Sequence, residues 1–363
     1  MATRTMDQEL VAEFSEDHGR RDEDEYGMER ESKRRRRAGP EVIACFGYHP
    51  WFCHLLHLGS PDRKVSKEEH YASIFLPSEA STSYTSQKQL LDEIIPDLPE
   101  PIAIQPLIEQ MRTHAVQAQI RGSLVMIGEV GLDRSFRVPF PGHKANHCGE
   151  HTEVEEHTNT PSVADAEAKI ATSGEEEMAK KLNQPELISR SKNLTPFRPS
   201  MDHQIALLDM QMDLAVELGI NVSLHSVKAQ GPTLDFLRRF KKKHGAMFTD
   251  RVNVDVHSCG GWSVESWVDA EKHFPNLYLS PSIAISGRTP VTPYLIRAAA
   301  PSRLLVESDT HLIQDTTKRV WAATVWIAKC RGWKIERTKD DLQGEDSGVV
   351  SRLESNWNRF MNL

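Results

Sequence analysis

The chain has 363 residues, a length that suits one large α/β domain or two smaller ones. Its net charge of −8 means that the electrostatic field of the whole chain does not favour nucleic acid. Binding of nucleic acid would need a local basic patch or metal ions. Five cysteines without a C-x-x-C pair argue against a disulfide framework or a zinc finger. No apolar run reaches the length of a membrane span or resembles a signal peptide. We therefore expect a soluble protein of the cytoplasm, the nucleus or both.

The N-terminal forty residues predict one helix and one loop. Residues 7–18 place apolar side chains at helical spacing and stop before Gly19. Residues 20–40 are dominated by charge and predict a charged, flexible loop. This loop contains the basic run 33–37, which is either a nuclear-import type of cluster or a solvated stretch without that role.

Two apolar runs then predict buried strands that end beside chemically active side chains. Residues 42–47 form the first run, and His49 and Pro50 follow it, where Pro50 turns the chain out of the strand. Residues 59–89 are rich in Ser, Lys and Glu and predict a surface loop, followed by helical patterning to residue 119. The second run, residues 123–129, ends on Glu129 between two glycines.

A polar tract over residues 138–200 predicts a partly disordered insertion. Beyond it, predicted helices alternate with strands at 220–225, 252–257, 277–280 and 303–307. This alternation predicts βαβ units with a parallel sheet, arranged as a barrel or as a doubly wound sheet. No G-x-G-x-x-G or G-K-[ST] phosphate loop occurs, which argues against a nucleotide-binding open sheet.

Metal-capable side chains stand at the ends of four predicted strands, namely Glu129, His225, His257 and Asp309. A barrel brings the carboxyl ends of its strands to one rim. Two imidazoles and two carboxylates suit a divalent cation such as Zn, Mn or Mg, and leave room for two ions bridged by a carboxylate. One such histidine alone is more often structural, so this prediction depends on all four together.

Five motifs resemble those of the TatD family of metal-dependent deoxyribonucleases, which are amidohydrolase-like TIM barrels. The motifs are Gly47-Tyr48-His49-Pro50-Trp51, Gly128-Glu129-Val130-Gly131-Leu132-Asp133, Leu224-His225-Ser226, Val256-His257-Ser258 and Val306-Glu307-Ser308-Asp309. They occur in the order of the family, between residues 42 and 310. The resemblance implies a TIM (β/α)8-type barrel with long polar insertions, as a single domain over residues 1–363.

The resemblance also implies a role for each matching residue. Glu129 would be a bridging metal ligand, and His225 and His257 would each bind a metal ion. Asp309 would bind a metal ion and deprotonate the attacking water as a general base. His49 would lie at the rim, near the scissile phosphate.

Arg134 and Arg288 are further candidates for phosphate contacts. The long insertions and the F-G-Y-H-P-W-F form resemble the fungal branch of the family. That branch is described as interacting with a cell-cycle ubiquitin-ligase subunit, so such a subunit is a candidate partner.

One feature departs from the family pattern. The first strand of the family ends in D-x-H-x-H, whose two histidines hold one metal ion, and no such motif occurs near residues 1–48. Residues 1–8 resemble the second strand of the family and the helix after it. We therefore expect a barrel that lacks its first strand and has one incomplete metal site. Either the natural protein is longer than this sequence, or this is a genuine short form.

Three functions remain open from the sequence. The first is metal-dependent hydrolysis of phosphodiester bonds, with DNA as substrate and a 3′–5′ exonuclease mode, as the resemblance implies. The second is a non-catalytic interaction protein on a TIM-barrel scaffold, since the H-x-H ligands are absent. The third is a small-molecule amidohydrolase, because this fold hosts many chemistries.

Overall fold

The computed structural model describes residues 1–18, 42–141, 193–258, 260–336 and 348–363. The predicted loop 20–40, with its basic run, lies outside the described residues. So does most of the predicted insertion 138–200. Both predictions therefore stay predictions.

Short strands and longer helices alternate along the described residues. The strands are β1 (Ala44–Phe46), β2 (Leu56–His57), β3 (Ile102–Ala103), β4 (Val125–Asp133), β5 (Asn221–Val227), β6 (Val254–His257) and β7 (Leu277–Ser280). The helices before β5 are α1 (Thr5–His18), α2 (Lys67–Phe75), α3 (Tyr84–Ile94), α4 (Ile104–Ile120) and α5 (Met201–Leu218). The helices after β5 are α6 (Gln230–His244), α7 (Ala246–Thr249), α8 (Val264–His273), α9 (Thr292–Ala298), α10 (Ile313–Arg331) and α11 (Val349–Met361).

The main sheet is parallel throughout, in the order β1-β4-β5-β6-β7. Neighbours in this sheet follow one another along the chain with helices between them, which is the order of a (β/α) barrel. The α/β barrel-type fold predicted from the sequence is thus confirmed.

The two edges of this sheet are extended by single hydrogen-bonded residues. Ala2 donates its backbone N–H to the carbonyl of Cys45 at 2.7 Å, beside β1. At the other edge, Leu304 forms an isolated parallel bridge to Leu279 in β7. The strand predicted at 303–307 is therefore only one bridge residue after a 3₁₀ turn, Pro301–Arg303. Within the described ranges, no strand pair joins the Ala2 edge to the Leu304 edge.

A second, smaller core lies outside the barrel layers. It joins Tyr71 and Phe75 of α2 to Val138 and Phe197, at the two ends of the undescribed stretch 142–192. The prediction of a surface loop over residues 59–89 is wrong for this part of the chain, because α2 buries one apolar face in this core.

The C-terminal helix α11 packs against the amino-terminal ends of the strands. Phe360 lies fully buried among interior side chains that include Tyr278 and Leu305. Asn221 and Asn253, at the starts of β5 and β6, donate side-chain hydrogen bonds to the carbonyl of Phe360. The helix therefore covers the end of the sheet opposite to the carboxyl ends of its strands.

None of the described helices combines the length and the apolar character that crossing a bilayer requires.

Candidate metal centre

Close contact between β4 and β5 positions the centre at the carboxyl ends of the strands. Gly131 pairs with His225, and a Cβ on Gly131 would come within 2.0 Å of the carbonyl oxygen of His225. Only glycine fits such an approach, which gives the second glycine of the G-E-x-G-L-D motif a physical reason. His225 in turn pairs with His257 across β5 and β6.

Glu129 lies where the register between β4 and β5 shifts, between Ile127 and Val130. Such an irregularity re-aims a side chain within a strand. The carboxylate oxygen Oε1 of Glu129 is 2.7 Å from Nδ1 of His225, 3.4 Å from Nε2 of His49 and 3.9 Å from Nε2 of His257. One oxygen therefore faces three imidazoles.

The buried carboxylate of Glu129 is ionised because of these imidazoles. Burial alone would raise the pKa of Glu129, but His257, His49 and His225 lower it well below its ordinary value. The centre thus offers a carboxylate at neutral pH.

His49 is held by the turn that follows β1. Its Nδ1 accepts a hydrogen bond from the backbone N–H of Trp51 at 3.1 Å, at the start of the 3₁₀ helix Pro50–Leu55. An imidazole that accepts at Nδ1 carries its proton at Nε2, and this nitrogen faces Glu129 and, at 3.2 Å, His225. Burial lowers the pKa of His49, so the ring stays neutral. His49 therefore suits a donor facing a substrate oxygen better than a metal ligand.

His225 is held from behind by Asp133. Its Nε2 lies 3.2 Å from Oδ2 of Asp133, and the same oxygen accepts the indole N–H of Trp51 at 2.7 Å. The other oxygen of Asp133 accepts the backbone N–H and the hydroxyl of Ser135. Burial would lower the pKa of His225, but Asp133 and Glu129 raise it to about 9. A carboxylate behind a metal-facing histidine is the usual way of fixing such a ring.

His257 has the corresponding arrangement on the other side of Glu129. Its Nδ1 contacts Glu307, whereas its Nε2 lies 3.3 Å from Oδ1 of Asp309. Ser258, with a φ of 45°, turns its backbone N–H and its hydroxyl toward Glu307, at 2.8 and 2.6 Å. The same hydroxyl is 2.7 Å from Asp309, which also adopts a positive φ of 46°. Strained backbone of this kind is common at functional sites.

The predicted site residues thus come together in two adjoining groups. His49, Glu129 and His225 form one group, and His257 and Asp309 lie on the far side of Glu129. Arg134 and Arg288 are exposed, and within the described part of the chain neither side chain hydrogen-bonds to a residue of the centre.

Sequence reasoning missed three carboxylates. Asp133 and Glu307 stand in the quoted motifs, but their contacts with the two histidines were not foreseen. Asp255 precedes His257 by two positions in β6, so the two side chains face the same side of the sheet. The two-residue repeat of a strand predicts this from the sequence. Asp255, His257 and Glu307 offer ligand atoms within 4.8 Å of one another.

The donor set fits a divalent cation. His49, Glu129 and His225 also offer ligand atoms within 4.8 Å of one another, and Asp309 and Glu307 contact His257 on the far side of Glu129. Imidazole with carboxylate is a donor set of Zn and Mn, and a site richer in oxygen also accepts Mg. His225, His257, Glu129 and Asp309 would hold such ions.

The chain was compared with known proteins. No family model matches it. The Cut9-interacting protein scn1 of Schizosaccharomyces pombe is 23% identical over 350 residues, which cover 89% of this chain and 84% of that protein. An uncharacterized deoxyribonuclease of Saccharomyces cerevisiae is 33% identical over 103 residues, which cover 28% of this chain and 27% of that protein.

Among solved structures, YJJV, a TatD homologue from Escherichia coli K12, is 13% identical at a TM-score of 0.46, and the match covers 100% of this chain and 85% of that one. Together with the motif residues, the sequence relatives confirm the resemblance of this chain to the TatD family.

Proposed function

We propose that the chain hydrolyses phosphodiester bonds in DNA with the help of divalent metal ions, in a 3′–5′ exonuclease mode. The observation that carries this proposal is the single oxygen of Glu129 that faces three imidazoles, with Asp309 beside the third. The similarity of 103 residues to an uncharacterized deoxyribonuclease supports a nuclease over other hydrolases.

Each residue of the centre has a separate proposed role. A divalent cation held here would supply Lewis-acid stabilisation of the charge that develops on the phosphate. Glu129 would bridge the two halves of the centre, and His225 and His257 would bind on either side of it. Their orientations are fixed by Asp133 and Glu307.

Asp309 would accept the proton of the attacking water. Burial would raise the pKa of Asp309, but hydrogen bonds from His257 and Ser258 lower it, so the carboxylate is ionised at neutral pH. His49 would donate its Nε2 proton in a hydrogen bond to a phosphate oxygen, because its Nδ1 is occupied by Trp51.

The first prediction tests this function directly. Purified protein is incubated with an oligodeoxynucleotide labelled at its 5′ end, in EDTA and after addition of Mg²⁺, Mn²⁺ or Zn²⁺. We expect no cleavage in EDTA and stepwise shortening from the 3′ end with a metal ion. Glu129→Gln and Asp309→Asn should each lower kcat by at least about 100-fold, because the first removes the proposed bridging ligand and the second the proposed general base.

Asp235→Asn is the matched control, since Asp235 is an exposed carboxylate on α6. Cleavage that persists in EDTA or in Glu129→Gln would contradict the proposal. Hydrolysis of lactones or amides with no cleavage of DNA would indicate a small-molecule amidohydrolase instead.

A second candidate function is that of an interaction protein, with a cell-cycle ubiquitin-ligase subunit as partner. Its support is the similarity to a protein named for interacting with Cut9, which extends over 89% of this chain. A stoichiometric complex with the corresponding subunit, formed equally by wild type and by Glu129→Gln, would favour this function. Absence of binding by size-exclusion chromatography of the purified pair would exclude it.

A further inference from the structure

We propose that the indole of Trp51 is a stacking surface for the nucleobase next to the scissile phosphate, and so a determinant of substrate specificity. This inference rests on the proposed function for the nature of the substrate. Its geometry is independent of the metal ions.

Trp51 is an exposed aromatic residue at the metal centre. Trp51 retains 38% of its full exposure, whereas Trp262 and Trp267 are buried. The indole lies edge-on to His49 and His225, with ring centroids 5.0 and 6.5 Å apart. The part of the indole that stays exposed borders a polar site, and its flat apolar face suits a flat ligand.

The orientation of the indole is fixed before any ligand arrives. Its N–H donates to Oδ2 of Asp133, a carboxylate that is 2% exposed and that also holds His225. Phe136 stacks beneath the indole, with ring centroids 5.8 Å apart and planes inclined by 15°. A ring held by a hydrogen bond at its edge and by a second ring on one face loses little entropy when a base stacks on its free side.

The stacking would act on the reacting end of the substrate. The 3₁₀ helix Pro50–Leu55 places Trp51 two residues after His49, whose Nε2 faces the centre. A phosphodiester bound at the centre therefore carries its adjoining base toward the indole. Stacking of a base on an aromatic side chain is tolerant of sequence, so Trp51 would select for the presence of a base and not for its identity.

The test compares two oligodeoxynucleotides that differ only at the 3′ terminus, where one carries a base and the other an abasic tetrahydrofuran sugar. Binding is measured by fluorescence anisotropy in Mn²⁺ with Glu129→Gln, which retains the aromatic surface. Cleavage is measured as kcat/KM with otherwise wild-type protein. Each measurement is repeated with Trp51→Ala, Trp51→Phe and Trp357→Ala. Trp357 is the matched control, because it is 37% exposed and lies on α11 at the opposite end of the sheet.

We expect chains with Trp51 or with the Trp357→Ala change to bind the base-bearing end about 5- to 100-fold more tightly than the abasic end, as one stacked base implies. Trp51→Ala should bind both ends equally. Trp51→Phe should keep most of the preference, because phenylalanine still stacks on a base. The preference should not be complete, because phenylalanine cannot donate a hydrogen bond to Asp133.

Three results separate this inference from the proposed function. If Trp51→Ala weakens binding of both ends by the same factor, Trp51 only supports the site and the inference is wrong. A preference that depends on Trp51 in a chain that cleaves no phosphodiester would overturn the proposed function and leave the stacking surface standing. Cleavage of both ends with equal kcat/KM would support the proposed function and would show that Trp51 is not a stacking surface.

Discussion

At the scale of single residues, Asp255 is the least satisfied carboxylate near the centre. It is 8% exposed, and its Oδ1 has no hydrogen-bond partner. Burial raises the pKa of Asp255 well above its ordinary value, and the nearby Glu307 adds to this effect. In the absence of a cation, Asp255 therefore costs stability at neutral pH.

Asp255→Asn should make the metal-free protein more stable, because the amide has nearly the same shape but no charge to desolvate. In EDTA at pH 7.5, we expect the free energy of unfolding by urea to rise by about 1 kcal/mol or more. The folded pKa of Asp255 is raised, so its cost is present at high pH and disappears as the pH falls toward the unfolded value of 3.8. The gain should therefore shrink in acid.

Asp235→Asn, at an exposed position, should change the same free energy by less than about 0.5 kcal/mol. If Asp255→Asn were destabilising in EDTA at every pH, the carboxylate would be a satisfied structural group. The interpretation of Asp255 as a buried, costly charge would then be wrong.

At the scale of elements, α11 covers the base of the sheet, and Phe360 is one of the side chains that it buries there. Phe360 is fully buried, contacts Tyr278 edge-on with ring centroids 5.2 Å apart, and shares its interior cluster with Cys45 and Met126. The carbonyl of Phe360 accepts hydrogen bonds from Asn221 and Asn253. The helix thus ties together strands that are distant in the chain.

Phe360→Ala should lower the free energy of unfolding by about 3–5 kcal/mol, since it leaves a cavity inside the sheet. Urea denaturation followed by circular dichroism measures this change. Leu363→Ala, at a position that is 57% exposed, is the control and should have little effect. A loss as small as that of the control would show that α11 does not support the sheet.

At the scale of the whole molecule, two buried histidines contribute to the dependence of stability on pH. Burial lowers the pKa of both His54 and His70 to about 4. These imidazoles gain protons on unfolding between about pH 4 and pH 6.5. Their contribution is therefore fully present above pH 6.5 and is lost as the pH falls toward 4.

We expect the free energy of unfolding, measured in EDTA, to fall across this window by up to about 3 kcal/mol for each of the two groups. His70→Gln should flatten the dependence on pH, whereas His273→Gln, at an exposed position, should leave it unchanged. A pH profile with the same slope in His70→Gln would exclude this histidine as a cause.

Much of the fold and of the candidate centre could be predicted because its signals are local. Glu129, His225 and His257 each follow a mainly apolar stretch of a strand, and parallel strands bring their carboxyl ends to one rim. The strand that contains Glu129 continues to Asp133, beyond the end that the sequence predicts. The second core could not be predicted in this way. The polar residues between Gly59 and Lys67 hide the apolar face of α2. Part of the core that buries this face is Phe197, which stacks on Phe75 from more than a hundred positions away.

The carboxylates behind the histidines were missed for a related reason. Asp133 lies close to His225 because β4 pairs with β5, and Glu307 reaches His257 from the segment that follows the Leu304 bridge. No spacing within one segment shows either contact. Trp51 likewise reaches Asp133 across 82 positions of sequence. Sequence patterns reveal which strand ends carry donors, but pairings between strands depend on register.

The order of the donors along the chain has a consequence for synthesis. The centre draws on His49, Glu129, His225, His257 and Asp309, and at least one helix or turn separates each from the next. No short segment contains enough of them to hold an ion tightly. The complete set of proposed ligands is therefore present only after Asp309 has left the ribosome. Since a ligand that binds only the folded form stabilises that form, a cation bound at this centre would favour completed chains over interrupted ones.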